Sequence, residues 1–405
     1  MKFKQSLKQS RLYQIECARR TLALLANDLL LTARRGPAPS GKPKIGIFKR
    51  GGIGDWIVFH QALENIANDA PDAEISVFAE KQNAEIVGII GLVDHLHTID
   101  PKALRKSLFK KRALLNQVRQ SGFDVWIDAD LSRTRLGDAM ALACRSPIRI
   151  GYAANHTAPC HAWLQTRLFN HLIPDNFGKT HMSVRMLEIA KRFREIRPID
   201  GAAMSPDVRK RKISGLRRFA WSGHASNVMI VAPSASIAMR IWPIERCADV
   251  IEHLHRTRGL KPVIVGGPAD QAVCRRLLAM VRDTGAVDMS ARLSLGQSLA
   301  LIGESRLLLA NESGPMHMGR ALGTPTVVVA SGADFTNYLQ YPEQRANYRV
   351  VTAEDSSCFD CSWQCIYKRP NRQAIKPCLD AVRSDAVIDA IESILDARPD
   401  DRPGP

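Results

Sequence analysis

From residue 44 onward the chain alternates short β-branched apolar runs with longer stretches of helical period. The runs predict strands at 45–48, 75–78, 125–128 and 149–152, and the stretches between and after them predict helices at 56–68, 103–120 and 182–194. The pattern lapses in the polar, basic stretch 198–227, which holds the run Arg209 to Lys212 and reads as a linker. It then restarts, with strands at 228–232, 262–265, 307–310 and 326–330 and helices at 244–257, 270–282 and 295–304, and a closing helix at 384–396. Strands that alternate with helices build parallel sheets, so the fold class is α/β with two Rossmann-like halves. The predicted organisation is a 1–43 arm, a 44–200 N-terminal half, a 201–227 linker, a 228–383 C-terminal half and a 384–405 closing helix with a disordered tail.

The arm changes the picture through its charge. Leu12, Ile15, Leu22, Leu25 and Leu29 recur at helical spacing among Arg11, Arg19, Arg20, Arg34 and Arg35, which reads as a basic amphipathic helix. Residues 1–44 carry ten Lys/Arg against Glu16 and Asp28, nearly half of the net charge of +17. Such an arm suits either an anionic membrane surface or packing on the next domain. Nucleic acid is the less suitable partner, because the six Tyr and six Trp are scattered and no recognised nucleic-acid motif is present. With 45% apolar and 24% charged residues, no apolar run long enough to span a bilayer and no signal peptide, the sequence predicts a cytoplasmic protein, peripheral on the inner face of the cell membrane if the arm docks there. Nine cysteines without a secretory signal point to reduced thiols or metal ligands.

Candidate chemistry gathers where strands give way to helices. After the first strand comes Lys49-Arg50-Gly51-Gly52-Ile53-Gly54-Asp55-Trp56, in which Gly51, Gly52 and Gly54 permit tight turns and close ligand approach. The spacing is neither the dinucleotide fingerprint nor the phosphate loop of nucleoside triphosphatases. Asp55 stands either as a helix N-cap or as a general base at the mouth of the sheet. After a later strand, Asn311-Glu312-Ser313-Gly314-Pro315-Met316-His317 opens a helix whose first amides can receive a pyrophosphate. Between these lie Ser234 and Ser236 after one strand, Arg240-Ile241-Trp242-Pro243 before the next helix, and Gly266-Gly267-Pro268-Ala269-Asp270 after another strand. Hydroxyls and a cation suit phosphate oxygens, and a carboxylate suits ribose hydroxyls.

These motifs, in this order, resemble glycosyltransferase family 9, the heptosyltransferases of lipopolysaccharide synthesis, from about Lys44 to about Leu395. The resemblance implies a GT-B architecture, with two Rossmann-like domains facing a central cleft, and an inverting, metal-independent transfer of a sugar, typically heptose from ADP-heptose, to a saccharide or lipid-linked acceptor. It makes Asp55 the catalytic base, Ser236 and Arg240 the phosphate contacts, Asp270 the ribose contact, and Ser313, Gly314 and His317 the diphosphate contacts. Ser234 stands where the family has glycine, Arg240 where it has lysine and Glu312 where it has aspartate. Asp128-Ala129-Asp130 looks like a metal-binding Asp-x-Asp, but the family keeps an aspartate there for structure or acceptor contact, so no catalytic ion is expected. A nucleotide-sugar epimerase or hydrolase of the same fold is the alternative activity.

Cys358-x2-Cys361-x3-Cys365-x12-Cys378 places four thiols within a short segment. Tetrahedral thiolate sites use such spacings, so a structural zinc or iron is expected there, with a redox-labile surface loop as the other reading.

Overall fold

The computed structural model describes residues 41–153, 167–174, 177–196, 214–219, 227–367 and 375–397. The basic arm, most of the linker and the C-terminal tail lie outside the described residues. In chain order the first series is β1 (Lys44–Lys49), α1 (Ile53–Asp69), β2 (Glu74–Glu80), α2 (Ala84–Ile90), β3 (His95–Ile99), α3 (Pro101–Lys106), α4 (Leu108–Gln120), β4 (Val125–Asp128), α5 (Arg135–Cys144), β5 (Ile148–Tyr152), β6 (His171–Ile173) and α6 (Met182–Ile196). The second is β7 (Val228–Ala232), α7 (Ile244–Arg258), β8 (Lys261–Ile264), α8 (Gln271–Met280), β9 (Val287–Asp288), α9 (Leu295–Glu304), β10 (Leu307–Asn311), α10 (Gly314–Leu322), β11 (Thr326–Val329), α11 (Phe335–Tyr338), β12 (Tyr348–Val351), α12 (Pro377–Asp380) and α13 (Ser384–Asp396).

Each series forms a six-stranded sheet, in the orders β3-β2-β1-β4-β5-β6 and β12-β11-β10-β7-β8-β9. Every described pairing is parallel, with Ile45 opposite both Ile75 and Val125, and Leu309 opposite both Val231 and Val327. The order reverses between β1 and β4 in one sheet and between β7 and β10 in the other. Connections then leave for opposite faces, and the carboxyl ends of those strands bound a crevice. The chain divides into two compact units, residues 1–51, 59–178 and 184–214, and residues 52–58, 179–183 and 215–405. The glycine loop from Gly52 onward and the start of α1 therefore group with the second unit.

Phe48, Phe78, Leu115, Trp126, Met140 and Phe169 fill the core of the first unit. Gly46 is glycine because a Cβ there would stand 2.7 Å from Trp126 and 2.9 Å from Phe123. In the second unit Val231, Trp242, Ile251, Leu309 and Val327 form one core with Val387 and Ile391 of the closing helix.

The structure corrects the long helix expected at 103–120. Ser107 has extended backbone (φ −136°, ψ 110°) and its hydroxyl accepts from Lys110 N at 3.3 Å, so it ends α3 and caps α4. Asp100 and Pro101 start α3 two residues early, the carboxylate accepting from Lys102 N and Ala103 N. Among the described residues no helix is long and apolar enough to cross a membrane.

Candidate functional site

The carboxyl end of β1 is braced before the chain turns. Arg50 donates its backbone N–H to Asp130 at 2.7 Å, and its guanidinium meets the same carboxylate at 3.2 Å. Asp130 thus anchors the loop. Its neighbour Asp128 is buried, and burial and then the Asp130 charge raise its carboxyl above the ordinary carboxylate range. Gly51 follows with φ +102°, a conformation glycine adopts without strain. Asn83 donates to the Gly51 carbonyl at 2.9 Å.

Asp55 is not the N-cap that its spacing allowed. It is the third residue of α1, and its Oδ2 accepts the backbone N–H of Gly52 at 2.7 Å. A carboxylate at this position reaches back to the residue before the helix, as in half of a capping box, because the side chain leans toward the helix start. Asp55 is half-buried, and among the described residues its other oxygen, Oδ1, accepts no hydrogen bond.

Within the second unit Gly54 and α10 meet closely. A Cβ on Gly54 would fall 2.5 Å from Cδ2 and 3.2 Å from Nε2 of His317, and one on Gly314 would lie 4.0 Å from the Gly54 nitrogen. The loop that carries Asp55 therefore rests on the start of α10. There Ser313 occupies the N-cap with extended backbone, and Pro315 sits in the first turn, where it has no N–H to lose.

His317 is buried, and burial followed by the Arg240 charge lowers it to about 4, so its ring is neutral at physiological pH. Its Nδ1 lies 2.7 Å from the hydroxyl of Tyr341. Burial pushes the Tyr341 hydroxyl well above its ordinary range, and among the described residues that hydroxyl has no other hydrogen-bond partner. The phenol proton must then go to Nδ1, since a buried donor without an acceptor is costly. His317 accordingly carries its own proton on Nε2, facing the glycine loop. The Tyr341 ring is held between His181, at 4.0 Å, and the Arg320 guanidinium, at 4.9 Å. Tyr341→Phe is expected to release the tautomer and weaken ligand contact at Nε2 by about three- to tenfold, the worth of one ordinary hydrogen bond. Ring ¹⁵N shifts of His317 check the first effect and titration with ADP checks the second.

Arg240 approaches the same helix start from the turn after β7. Its Nε is 3.3 Å from Glu312 Oε1, and its guanidinium lies 4.8 Å over the Trp363 ring. Glu312 is 2% exposed, and among the described residues neither of its carboxylate oxygens accepts a hydrogen bond. Burial raises Glu312 to about 7, Arg240 opposes the rise and Asp334 adds to it. Asn311 staples the turn to α10, donating to the Pro233 carbonyl at 2.7 Å and accepting from Trp242 N at 3.4 Å. Ser236 is exposed in that turn.

Asp270 forms a second group. Its Oδ1 accepts from the Ser234 hydroxyl at 2.7 Å and its Oδ2 from Gly267 N at 2.8 Å. Gly266 has no room for a side chain, since a Cβ would stand 2.8 Å from that of Asp270.

Cys358, Cys361, Cys365 and Cys378 are free thiols that line one small cavity with Trp363 and Lys376. Burial and then the neighbouring thiols Cys361 and Cys365 raise Cys358, and burial and then Cys358 raise Cys378, so the group shares one electrostatic environment. Among the described residues no three such groups stand in coordinating geometry. Three non-glycine residues of the loop, Asp360, Ser362 and Trp363, have positive φ. Asp360 anchors the loop to Thr336 at 2.7 Å and to Lys179 at 3.0 Å.

The structure thus brings Gly54, Gly314 and His317 together, joins Arg240 to Glu312, and sets Asp270 beside Ser234. Tyr341 and Trp363, which orient His317 and Arg240, were absent from the sequence reading. Neither lies in a strand-end motif, and only folding places them.

The profile of glycosyltransferase family 9 (heptosyltransferase) matches residues 111–365, a span that leaves out the Asp55 loop. The chain is 22% identical over 288 residues to lipopolysaccharide heptosyltransferase 3 of Escherichia coli, covering 69% of this chain and 81% of that protein. Among solved structures it is similar to the glycosyltransferase family 9 protein of Veillonella parvula (TM-score 0.66, 19% identity, 88% of this chain and 99% of that one). It is also similar to E. coli heptosyltransferase WaaC with ADP (TM-score 0.62, 18% identity, 87% and 99%). Both likenesses extend across the two parallel sheets, and the fold is of the GT-B class. A family match over more than half the sequence settles the membership: this chain belongs to glycosyltransferase family 9, the heptosyltransferase family.

Proposed function

We propose that this glycosyltransferase is inverting and moves a heptose from ADP-heptose to a lipopolysaccharide-core or related saccharide acceptor. The observation that carries the reading is the contact of Gly54 with His317, which sets the Asp55 loop directly against the helix start suited to a diphosphate. In this reading Asp55 takes the proton from the acceptor hydroxyl as that oxygen attacks the anomeric carbon. The bond to the diphosphate breaks on the opposite face. Charge then grows on the departing oxygens, where Arg240, Ser236, the Ser313 and Gly314 amides and the Nε2–H of His317 would counter it. Glu312 would meet the sugar and Asp270 the ribose. The name of a relative solved with ADP supports the donor class.

A thermal-shift screen of ADP-, UDP- and GDP-sugars tests the donor, because a ligand at about a hundred times its dissociation constant stabilises by roughly 2.7 kcal/mol. Stabilisation by UDP- or GDP-sugars alone would refute the ADP-heptose assignment. Release of free sugar from donor without acceptor would favour an epimerase or hydrolase.

The cysteine group is read as a structural site for one zinc or iron ion. Four thiols around a single cavity supply the right donor set, and a metal bound there would fix the strained loop that presents Trp363 to Arg240. About one equivalent of metal by elemental analysis is expected in the purified protein. Cys361→Ser should lose it and lower the melting temperature, since such binding is coupled to local folding. Metal-free wild-type protein with an unchanged melting temperature would remove the assignment.

A further inference from the structure

The corner between α3 and α4 is unlike the rest of the described surface. Leu108 and Phe109, the first two residues of α4, are 64% and 81% exposed, the largest such value belonging to Phe109 among the described large apolar residues. They are ringed in sequence by Lys102, Arg105 and Lys106 on α3 and by Lys110, Lys111 and Arg112 on α4, with no acid from residue 101 to residue 120. Among the described residues none of these six cations is in an ion pair. The nearest acid in sequence is Asp100, whose carboxylate is engaged in capping α3 and feels Lys102 and Lys110.

Local energetics do not explain the arrangement. The first turn of a helix favours anions, yet α4 opens with three cations and no acid. The underside of the same helices follows ordinary rules, with Leu104, Leu114, Leu115 and Val118 packed on the core of the first unit. The fold therefore spends stability to display two large apolar side chains inside a cationic ring. Breaks of local preference of this kind concentrate at functional sites.

We infer that the α3–α4 corner is a membrane-docking surface, inserting Leu108 and Phe109 among the headgroups of an anionic bilayer while the surrounding Lys and Arg pair with lipid phosphates. A lipid surface rewards both halves of the patch. A nucleic acid would reward the cations and one aromatic face but leave Leu108 without a partner. The site is independent of donor identity, and it would bring the enzyme to a lipid-linked acceptor.

The test uses the full chain with phosphatidylcholine vesicles, the same vesicles containing phosphatidylglycerol, and heparin as a soluble polyanion. Amide hydrogen exchange of the 101–120 peptide should slow with the anionic vesicles alone, a readout local to the corner. Lys106→Glu with Lys110→Glu should lower partitioning by about tenfold or more, and Leu108→Ser with Phe109→Ser should abolish the local protection. Both pairs lie on the surface, so melting temperatures should hold. Unchanged exchange at 101–120 while the protein pellets, equal protection by heparin, or wild-type pelleting of both double variants would each overturn the assignment. Donor binding should be unaffected in every arm, which separates this outcome from failure of the proposed activity.

Discussion

Asp55→Asn is expected to reduce turnover by about a hundredfold or more while the protein stays folded and binds donor, the usual scale for loss of general-base help. The structure sharpens the experiment. Asp55 caps Gly52 from within the first turn, and an asparagine Oδ1 can still accept that N–H. Only the charge and the capacity to take a proton disappear. The lost carboxylate also gives up its attraction to the helix start, about 0.3–1 kcal/mol, so the melting temperature should fall by a few degrees at most. Turnover close to wild type in a folded, donor-binding variant would falsify the role, and Asp55 would then be a capping residue alone. Single-turnover transfer beside a thermal melt reads both quantities on one preparation.

Arg240→Met is expected to weaken ADP binding by about ten- to a hundredfold, since hydrogen bonds to charged groups contribute about 1.5–3 kcal/mol each. Methionine keeps an unbranched side chain and removes the guanidinium that lies over the Trp363 ring. Glu312 then loses the charge that favours its ionised form and stays protonated at neutral pH, so Arg240→Met with Glu312→Gln should bind ADP no better. In the wild type the same pair gives binding a pH dependence. An ionised Glu312 competes with phosphate for Arg240, so ADP affinity should rise as pH falls through about 7, where Glu312 gains its proton. His317, lowered to about 4, stays neutral across that window and contributes nothing. Because the folded pKa of Glu312 lies above its ordinary 4.5, its contribution to stability is present at low pH and lost as pH rises through about 7. Calorimetric titration at pH 6 and pH 8 checks the sign, and Glu312→Gln should flatten the profile. Equal affinity at both pH values would show that Glu312 does not compete for Arg240.

Both parallel sheets and the strand-end placement of the glycine loop, Arg240, Asp270 and Glu312 were legible in the sequence. Central strands of a parallel sheet are buried on both faces and read as continuous apolar runs, so β1, β2, β4 and β5, and then β7, β8, β10 and β11, announce themselves. The four strands that escaped, β3, β6, β9 and β12, are the edges of their sheets. Half-buried strands such as His95–Ile99 and Tyr348–Val351 carry no such run, and pairing with a neighbour decides them. Charge and periodicity likewise could not break the helix at Ser107, because a side-chain cap competes with continuation only once the packing of Leu104 and Leu115 sets the angle. At the site, residue type and strand-end position singled out Asp55 as a candidate base and Arg240 as a candidate phosphate contact, while His317 entered only through the resemblance to the family. Their partners are another matter: Tyr341 on His317, Trp363 on Arg240 and Ser234 on Asp270 lie 24, 123 and 36 residues away in sequence. No local propensity encodes a contact across such distances: the Tyr341 hydroxyl assigns the proton to Nε2 of His317, and burial, opposed by Arg240 and reinforced by Asp334, raises Glu312 toward neutrality, for only the folded interior withdraws these groups from water.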